Sequence, residues 1–257
     1  MKITIIGAGN MGGAIARALF VSSYSQASDI TCTARSQQSL ERFNQGFNLM
    51  TDNRCAVKGA DMVIFAVKPW MMEEVVRDVA PCMDLDKQIV ASVAAGVSLE
   101  LLSQWLGGSP AVFQIIPNTA IEIGSGVTFI ASSNASQQQI DLIVDMFGRM
   151  GYALYVEEEM MGAGTALASC GIAYAMKYIQ ASAQGGVELG FTPEQACRIV
   201  EHTVKGAAEL LLATGNPPQT EIDKVTTPGG ITMKGLAAME QSGFTSAVIN
   251  GLASSKK

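Results

Sequence analysis

The stretch that decides the fold is Lys2-Ile3-Thr4-Ile5-Ile6-Gly7-Ala8-Gly9-Asn10-Met11-Gly12, near the start of the chain. A short apolar run typical of a buried strand leads into Gly-x-Gly-x-x-Gly and then into a helix-forming sequence. The first glycine permits a tight turn, the second lets the backbone approach a phosphate, and the third packs helix against strand. The N–H groups of the helix N-terminus bind the anion. The stretch therefore predicts a dinucleotide site at Gly7, Gly9, Asn10, Met11 and Gly12, with a purely structural turn as the alternative.

Length and composition indicate a globular protein with one large domain or two smaller ones. The chain has 257 residues, is 48% hydrophobic and carries a formal net charge of -6. No basic stripe follows the sequence, which argues against a nucleic-acid partner. The five cysteines are scattered and lack metal-ligand spacing, so they predict free thiols in a reducing compartment and no metal site. We expect a cytoplasmic protein that does not bind a membrane.

Strands and helices alternate through the first part of the chain. This alternation predicts an α/β fold with a Rossmann-type doubly wound, mostly parallel sheet covered by helices on both faces. A helix over 11–22 should face inward with Ile15, Leu19 and Phe20, and Ser136 with Gln139 should form a capping box for a helix over 136–148. Pro69 suits the first turn of another helix. We expect strands near 2–6, 29–34, 62–67, 88–92, 111–116, 126–131 and 152–156.

Helical spacing replaces the strand pattern beyond about residue 158. We therefore predict a nucleotide-binding domain over 1–157 and an all-α domain over 158–257. The uncharged run 160–176 is short and rich in small residues, which favours a closely packed interior or inter-subunit helix over a membrane span. Thr192-Pro193-Glu194-Gln195 predicts the start of a long helix, and Gly215 its end. The many apolar faces favour a homodimer through this all-α domain, with a monomer as the alternative and a further assembly of dimers left open.

The end of the second predicted strand bears on which nucleotide binds. Rossmann proteins that prefer NAD place an acidic residue there, where it accepts hydrogen bonds from the ribose 2'-hydroxyl. This chain has Arg35-Ser36 at that point, a cation and a hydroxyl suited to a 2'-phosphate. The pair predicts NADPH as the cofactor, with NADH as a second donor. In the alternative interpretation, Arg35 is a solvated loop charge and Ser36 only caps the next helix.

Few side chains of this chain are suited to act as a general acid or base. His202 is its single histidine and lies in a predicted helix far along the sequence, which disfavours dehydrogenases that move a hydroxyl proton through histidine. The all-α part contains Val225-Thr226-Thr227-Pro228-Gly229-Gly230-Ile231-Thr232, a loop that leads into a helix. Backbone N–H groups after such a turn form a carboxylate-sized anion site. A simple helix-starting turn is the alternative.

Several motifs in the same order resemble the pyrroline-5-carboxylate reductase family over essentially the whole length. Beyond the glycine-rich turn they are Thr51-Asp52-Asn53, Phe65-Ala66-Val67-Lys68-Pro69, Ala94-Ala95-Gly96-Val97, Ile116-Pro117-Asn118-Thr119, Thr165-Ala166-Leu167 and Thr227-Pro228-Gly229-Gly230-Ile231-Thr232. The resemblance implies reduction of the cyclic imine 1-pyrroline-5-carboxylate to L-proline by hydride transfer from NAD(P)H, the last step of proline biosynthesis. A protonated imine is already an electrophile, so a histidine-poor site fits this chemistry.

The resemblance also implies roles for individual residues. Asn53 would contact the adenosine side of the cofactor. The nicotinamide side would be lined by Ala66, Val67, Lys68, Ala94, Ala95, Pro117 and Asn118. Backbone amides of Gly230, Ile231 and Thr232, together with Thr227, would hold the substrate carboxylate. The Thr232 hydroxyl would hydrogen-bond the ring nitrogen as the catalytic group.

The chain departs from the family pattern at a few positions, and two other functions stay open. It has Ser169-Cys170-Gly171-Ile172 where the family has Gly-Ser-Gly-Pro, and Gln114 where an arginine is usual. One alternative is a β-hydroxyacid dehydrogenase-like enzyme in which Lys177 protonates the substrate oxygen. The other is a non-catalytic NADP-binding regulator. Assays with pyrroline-5-carboxylate, with a hydroxyacid, and of cofactor binding alone separate the three.

Overall fold

The computed structural model describes residues 1–41, 43 and 45–256. Lys257, the last residue of the predicted second domain, lies outside them. The chain falls into two compact units, Met1–Ser169 and Cys170–Lys256. The boundary predicted at residue 158 precedes this division by 12 residues, and the domain limits 1–157 and 158–257 stay a prediction.

A single sheet of eight strands forms the centre of the first unit, in the order β3-β2-β1-β4-β5-β6-β7-β8. Strands β1 to β6 are parallel, β7 runs antiparallel to β6, and β8 runs parallel to β7. The predicted Rossmann-type, mostly parallel sheet is therefore confirmed. The strands are β1 (Ile3–Ile6), β2 (Ile30–Thr33), β3 (Asn48–Met50), β4 (Met62–Phe65), β5 (Ile89–Ser92), β6 (Val112–Pro117), β7 (Gly126–Ser133) and β8 (Gly151–Tyr155).

Helices cover both faces of this sheet. Ile3 and Ile5 of β1 belong to one buried cluster, and Ile6 belongs to the other. Because successive side chains of a strand point to opposite faces, a strand buried on both sides has a continuous apolar run, as β1 does. The helices of the first unit are α1 (Asn10–Val21), α2 (Gln37–Leu40), α3 (Asn53–Ala56), α4 (Met72–Val79), α5 (Leu99–Leu106), α6 (Gln137–Gly148) and α7 (Met161–Gly164).

Local predictions for the first unit hold with one exception. The capping box of Ser136 and Gln139 is present, and Pro69 opens a short 3-10 turn ahead of α4. Ile15 and Leu19 are fully buried, whereas Phe20 is 40% exposed. The prediction that Phe20 faces inward is wrong because a residue next to Leu19 is rotated by about 100° from the buried stripe of the helix.

Within its described residues, the second unit consists of helices joined by short loops and contains no strand. Its helices are α8 (Gly171–Glu188), α9 (Pro193–Thr214), α10 (Pro218–Lys224), α11 (Ile231–Gln241) and α12 (Phe244–Ser255). The capping box of Thr192 and Gln195 is present at the start of α9, and Gly215 ends that helix in the left-handed conformation. Apolar residues of α9 such as Ile199 and Leu212 are exposed in the single chain. No helix in the described part of the chain is long and apolar enough to cross a membrane.

The uncharged run 160–176 is not one regular helix. After α7 the backbone forms a π-helical segment, Thr165–Cys170, and α8 follows it. Met161 and Ala166 are buried, which agrees with close packing in the first unit, whereas Leu167 is exposed in the single chain. The Thr165 hydroxyl donates to the carbonyl of Met161 at 2.8 Å.

Candidate active site

The glycine-rich turn connects β1 to α1 at the carboxyl end of the sheet. Gly7 has φ of 93°, and a Cβ there would lie 2.7 Å from Cγ1 of Val67. A Cβ on Gly12 would overlap the carbonyl oxygen of Gly7 and approach Cβ of Ala66 to 3.0 Å. The protein's own packing therefore requires both glycines.

Gly9 differs from these two glycines. A Cβ on Gly9 would have only the Gly7 carbonyl oxygen within reach, at 3.9 Å. The fold does not need a glycine there, so the open side of the turn fits a group from outside the chain, such as a pyrophosphate. Gly9 is the N-cap of α1 without a side-chain cap, and Asn10 and Met11 form its first turn. This turn keeps backbone N–H donors for an anion.

Three further predicted cofactor segments lie at the same edge of the sheet. Ala66, Val67 and Lys68 follow β4, and Ala94 with Ala95 follow β5. Pro117 ends β6, and Asn118 follows it. Because β1, β4, β5 and β6 are parallel, their carboxyl ends lie along one edge, where open α/β sheets bind their ligands. The structure thus brings these residues to the same edge as the glycine-rich turn.

Polar side chains hold the loop between β5 and α5. Ser92 Oγ accepts a hydrogen bond from the Ala94 N–H at 3.2 Å, and Gln114 Nε2 donates to the Val97 carbonyl at 2.9 Å. Glu158 Oε1 accepts from the Leu99 N–H at 2.8 Å. A role of Ser92, Gln114 and Glu158 in the site was not predicted from the sequence. A glutamine in the middle of the apolar strand Val112–Pro117 was the available signal.

The Asn118 side chain is occupied by the protein itself. Its Oδ1 accepts from the N–H groups of Ala120 and Val127, both at 3.2 Å. Its Nδ2 lies 3.5 Å from the carbonyl oxygen of Ala168, and the residue is buried. The side chain therefore fixes the turn after β6. If Asn118 contacts the cofactor as predicted, we expect the contact to be made by its backbone, because its side chain is hydrogen-bonded within the protein.

The residues predicted for the adenosine end follow β2 and open α3. Arg35 is exposed and forms no ion pair with another described residue. Ser36 caps α2 by accepting from the Ser39 N–H at 3.4 Å. Asn53 is the first residue of α3, and its Oδ1 accepts from the Thr33 hydroxyl at 2.6 Å. Asp52 caps α3, and hydrogen bonds from Cys55 hold the pKa of this exposed carboxyl below its ordinary value.

In the second unit, the loop before α11 has the predicted form of a turn followed by a helix. Gly229 has φ of 74°, and the Gly230 N–H donates to the Thr227 carbonyl at 2.8 Å. A Cβ on Gly230 would lie 2.5 Å from the Thr227 hydroxyl, so the turn requires glycine there. α11 begins at Ile231 without a side-chain cap. Ile231 is 87% exposed, and Thr232 is exposed as well.

Two side chains considered for acid or base chemistry lie on helix surfaces. Lys177 is an exposed residue of α8 whose ammonium donates to Gln180 Oε1 at 2.9 Å. His202 is exposed on α9. Neither forms an ion pair with a residue that the structure describes, whereas catalytic acids and bases are usually buried beside a charged partner.

Comparison with known proteins settles the family. Residues 158–257 match a family model described as pyrroline-5-carboxylate reductase dimerisation, and residues 2–96 match one described as NADP oxidoreductase, coenzyme F420-dependent. The chain is 32% identical to pyrroline-5-carboxylate reductase 2 of Dictyostelium discoideum over 270 residues, covering 98% of this chain and 89% of that protein. This chain belongs to the pyrroline-5-carboxylate reductase family. The resemblance inferred from the motifs is confirmed.

Other members of the pyrroline-5-carboxylate reductase family agree. The Arabidopsis thaliana reductase is 33% identical, with 100% of this chain and 93% of that protein covered. Pyrroline-5-carboxylate reductase 1 of D. discoideum is 35% identical, but the chain spans only 48% of its length. The Plasmodium falciparum pyrroline carboxylate reductase, solved with NADP bound, superposes with a TM-score of 0.90 at 26% identity over 99% of this chain and 95% of that one.

Proposed function

We propose that this protein reduces 1-pyrroline-5-carboxylate to L-proline with NAD(P)H, with NADPH as the preferred donor, as the last step of proline biosynthesis. The observation that carries the proposal is the pair of glycine-built turns, 7–12 and 227–232, in a chain of the reductase family. Packing requires glycine at Gly7 and Gly12 of the first turn and at Gly230 of the second. Each turn precedes the start of a helix that has no side-chain cap.

The first turn fits the cofactor. The open side of Gly9 admits a phosphate, and the N–H groups at the start of α1 are donors for it. The guanidinium of Arg35, which is not engaged by another described charge, suits a 2'-phosphate with the Ser36 hydroxyl beside it. When bound, the cofactor supplies a hydride from its nicotinamide ring. Lys68, Ala94 and the other predicted residues at this edge would orient that ring.

The second turn fits a small acid. Backbone N–H groups of Gly230, Ile231 and Thr232 would hold the substrate carboxylate, with the Thr227 hydroxyl beside them. The Thr232 hydroxyl would hydrogen-bond the ring nitrogen and so orient the imine carbon toward the hydride donor. Orientation alone is a large effect, worth up to about 7–11 kcal/mol in favourable intramolecular reactions. No histidine is needed, because the protonated imine needs no further activation.

The second unit would also form a homodimer. Support comes from the match of 158–257 to a dimerisation family model and from the exposed apolar side chains of α9. Extended exposed apolar surface marks sites of contact with other chains. Any further assembly of dimers is left open. We place the protein in the cytoplasm, on the ground of five cysteines without disulfides.

The experiment that tests the function is a coupled measurement of NADPH oxidation and product. Purified protein with NADPH and pyrroline-5-carboxylate should oxidise the cofactor and form proline in equal amounts. Reduction of NADP+ by a β-hydroxyacid, without oxidation of NADPH by the imine, would favour the dehydrogenase alternative. Binding of NADPH without turnover of either substrate would favour the regulator.

A further inference from the structure

Thr33 links two parts of the nucleotide edge that are distant in sequence. It is the last residue of β2 and is 1% exposed. Its hydroxyl lies 3.3 Å from the Gly7 N–H and 2.6 Å from Asn53 Oδ1. The Thr33 carbonyl also accepts from the N–H groups of Gly7 and Ala8, at 3.2 and 2.6 Å. One buried residue therefore contacts both the glycine-rich turn and the start of α3.

The proton count at the Thr33 hydroxyl decides the direction of its bonds. The Gly7 N–H can only donate, so the hydroxyl oxygen accepts from it. The single hydroxyl proton then needs an acceptor, and Asn53 Oδ1 is the atom in place. Turning the carboxamide round would bring a second donor to the hydroxyl and leave a buried proton without an acceptor, which is unfavourable.

The same bond determines what Asn53 shows to its surroundings. Asn53 is half-buried, and its backbone is fixed because Asp52 accepts from the N–H groups of Arg54 and Cys55. With Oδ1 held by Thr33, the NH2 group is the part left for another partner. Asn53 Nδ2 makes no hydrogen bond to any residue that the structure describes.

We propose that Thr33 is a positioning residue that fixes the Asn53 carboxamide with its NH2 group toward the adenosine end of the cofactor. This proposal rests on the proposed function, because it takes NADPH as the ligand. Asn53 then recognises an acceptor atom, either a ring nitrogen of adenine or a ribose oxygen. An aspartate at position 53 would keep the bond from Thr33 but would show an oxygen where a donor is required.

The test is a double-mutant cycle on the dissociation constant of NADPH, measured by calorimetry on the full chain. Thr33→Val removes the hydroxyl at nearly constant shape and should weaken binding roughly two- to tenfold. Asn53→Ala should weaken it at least as much, and the double variant no further than Asn53→Ala alone. Thr33→Ser should restore binding, and Asn53→Asp should weaken it. Three results would overturn the proposal. They are an unchanged dissociation constant in Thr33→Val, a double variant in which the two single losses of affinity multiply, and wild-type affinity in Asn53→Asp.

Thr4 supplies a matched control for a merely structural role. It is a buried threonine of β1 whose hydroxyl donates to the Ala56 carbonyl at the other end of α3, at 2.7 Å. Thr4→Val should leave NADPH binding near the wild-type value, and an equal loss in both variants would reduce Thr33 to a structural support. If wild type itself fails to bind NADPH, the proposed function falls and this proposal with it. If wild type binds NADPH and Thr33→Val binds equally well, only the present proposal fails.

Discussion

Gln114 Nε2 of β6 donates to the carbonyl of Val97 at 2.9 Å, while Gln114 Oε1 is buried and has no hydrogen-bond partner among the described residues. Val97 belongs to the loop between β5 and α5, which also contains Ala94 and Ala95. A side chain from the neighbouring strand therefore anchors the loop that is expected to line the nicotinamide. The unpaired oxygen opposes the stabilising effect of that anchor.

We expect Gln114→Met to affect catalysis more than stability. The lost bond contributes about 1 kcal/mol and removal of an unsatisfied buried oxygen offsets it, so the free energy of unfolding should change by about 1 kcal/mol or less. The loop loses its anchor, and kcat/KM with NADPH should fall severalfold. Denaturant unfolding and steady-state kinetics give the two numbers.

Gln88 provides the control for Gln114. Its buried side chain donates to the carbonyls of Val57 and Ala60 and accepts from the Asp84 N–H. Gln88→Met should therefore lower the free energy of unfolding by about 2 kcal/mol or more, with kcat/KM for NADPH near wild type. The reverse pattern in the two variants would contradict the role given to Gln114.

Two glycines of the first turn should respond differently to alanine. Gly12→Ala overlaps the Gly7 carbonyl and should lower the free energy of unfolding by about 1–3 kcal/mol. Gly9→Ala meets no atom closer than 3.9 Å, so it should melt like wild type without cofactor. NADPH should raise the melting temperature of wild type but not that of Gly9→Ala. If NADPH raises the melting temperature of Gly9→Ala as much as that of wild type, the phosphate does not bind at this turn.

Arg35→Ala tests the preference for NADPH. Hydrogen bonds with charged groups contribute about 1.5–3 kcal/mol, so the KM for NADPH should rise roughly tenfold to a hundredfold while that for NADH changes little. Arg77→Ala is the matched control, because Arg77 is an exposed arginine of α4 paired with Glu73. Equal changes of both KM values in Arg35→Ala would show that Arg35 does not read the 2'-phosphate.

Thr232→Ala tests the catalytic assignment in the second unit. We expect a lower kcat with the KM for NADPH nearly unchanged, because the lost hydroxyl would contact the imine and not the cofactor. Thr203→Ala serves as the control, since this exposed hydroxyl of α9 only donates to the Ile199 carbonyl. A wild-type kcat in Thr232→Ala would remove Thr232 from the mechanism.

Burial of Cys32 predicts a loss of stability at high pH. Removal from solvent raises the pKa of this fully buried thiol from 9.0 to about 12. Between these two values the unfolded chain releases the thiol proton and the folded chain keeps it, so the free energy of unfolding falls as pH rises above 9. Cys32→Ala should unfold with a shallower pH dependence in this range. The same slope in both proteins would contradict the assignment.

Features encoded by a few adjacent residues were predictable from the sequence. The glycine-rich turn, the capping boxes at Ser136 and Thr192, and the turn at Gly229 each depend on local backbone geometry and local hydrogen bonds. These constraints hold whatever the rest of the chain does. β3 was missed because it has only three residues, Asn48–Met50, too few to show a period.

Contacts between distant residues could not be predicted. Thr33 and Asn53 are 20 residues apart, and Gln114 and Val97 are 17 apart. The first contact follows from the pairing of β2 with β3, and the second from the pairing of β5 with β6. Each pairing joins segments that are far apart in the sequence. Asn53 is therefore placed in the site by resemblance alone, and neither Thr33, which orients Asn53, nor Gln114, which holds the loop at Val97, was predicted.

The most direct test of the central claim is to follow the hydride itself. NADPH carrying deuterium at the transferring position of nicotinamide C4 is incubated with the protein and pyrroline-5-carboxylate, and the product is analysed by mass spectrometry and NMR. The account predicts L-proline that carries one deuterium at C5, and none when the protein is omitted. Proline without deuterium, or no proline while NADPH remains bound and unoxidised, would contradict it.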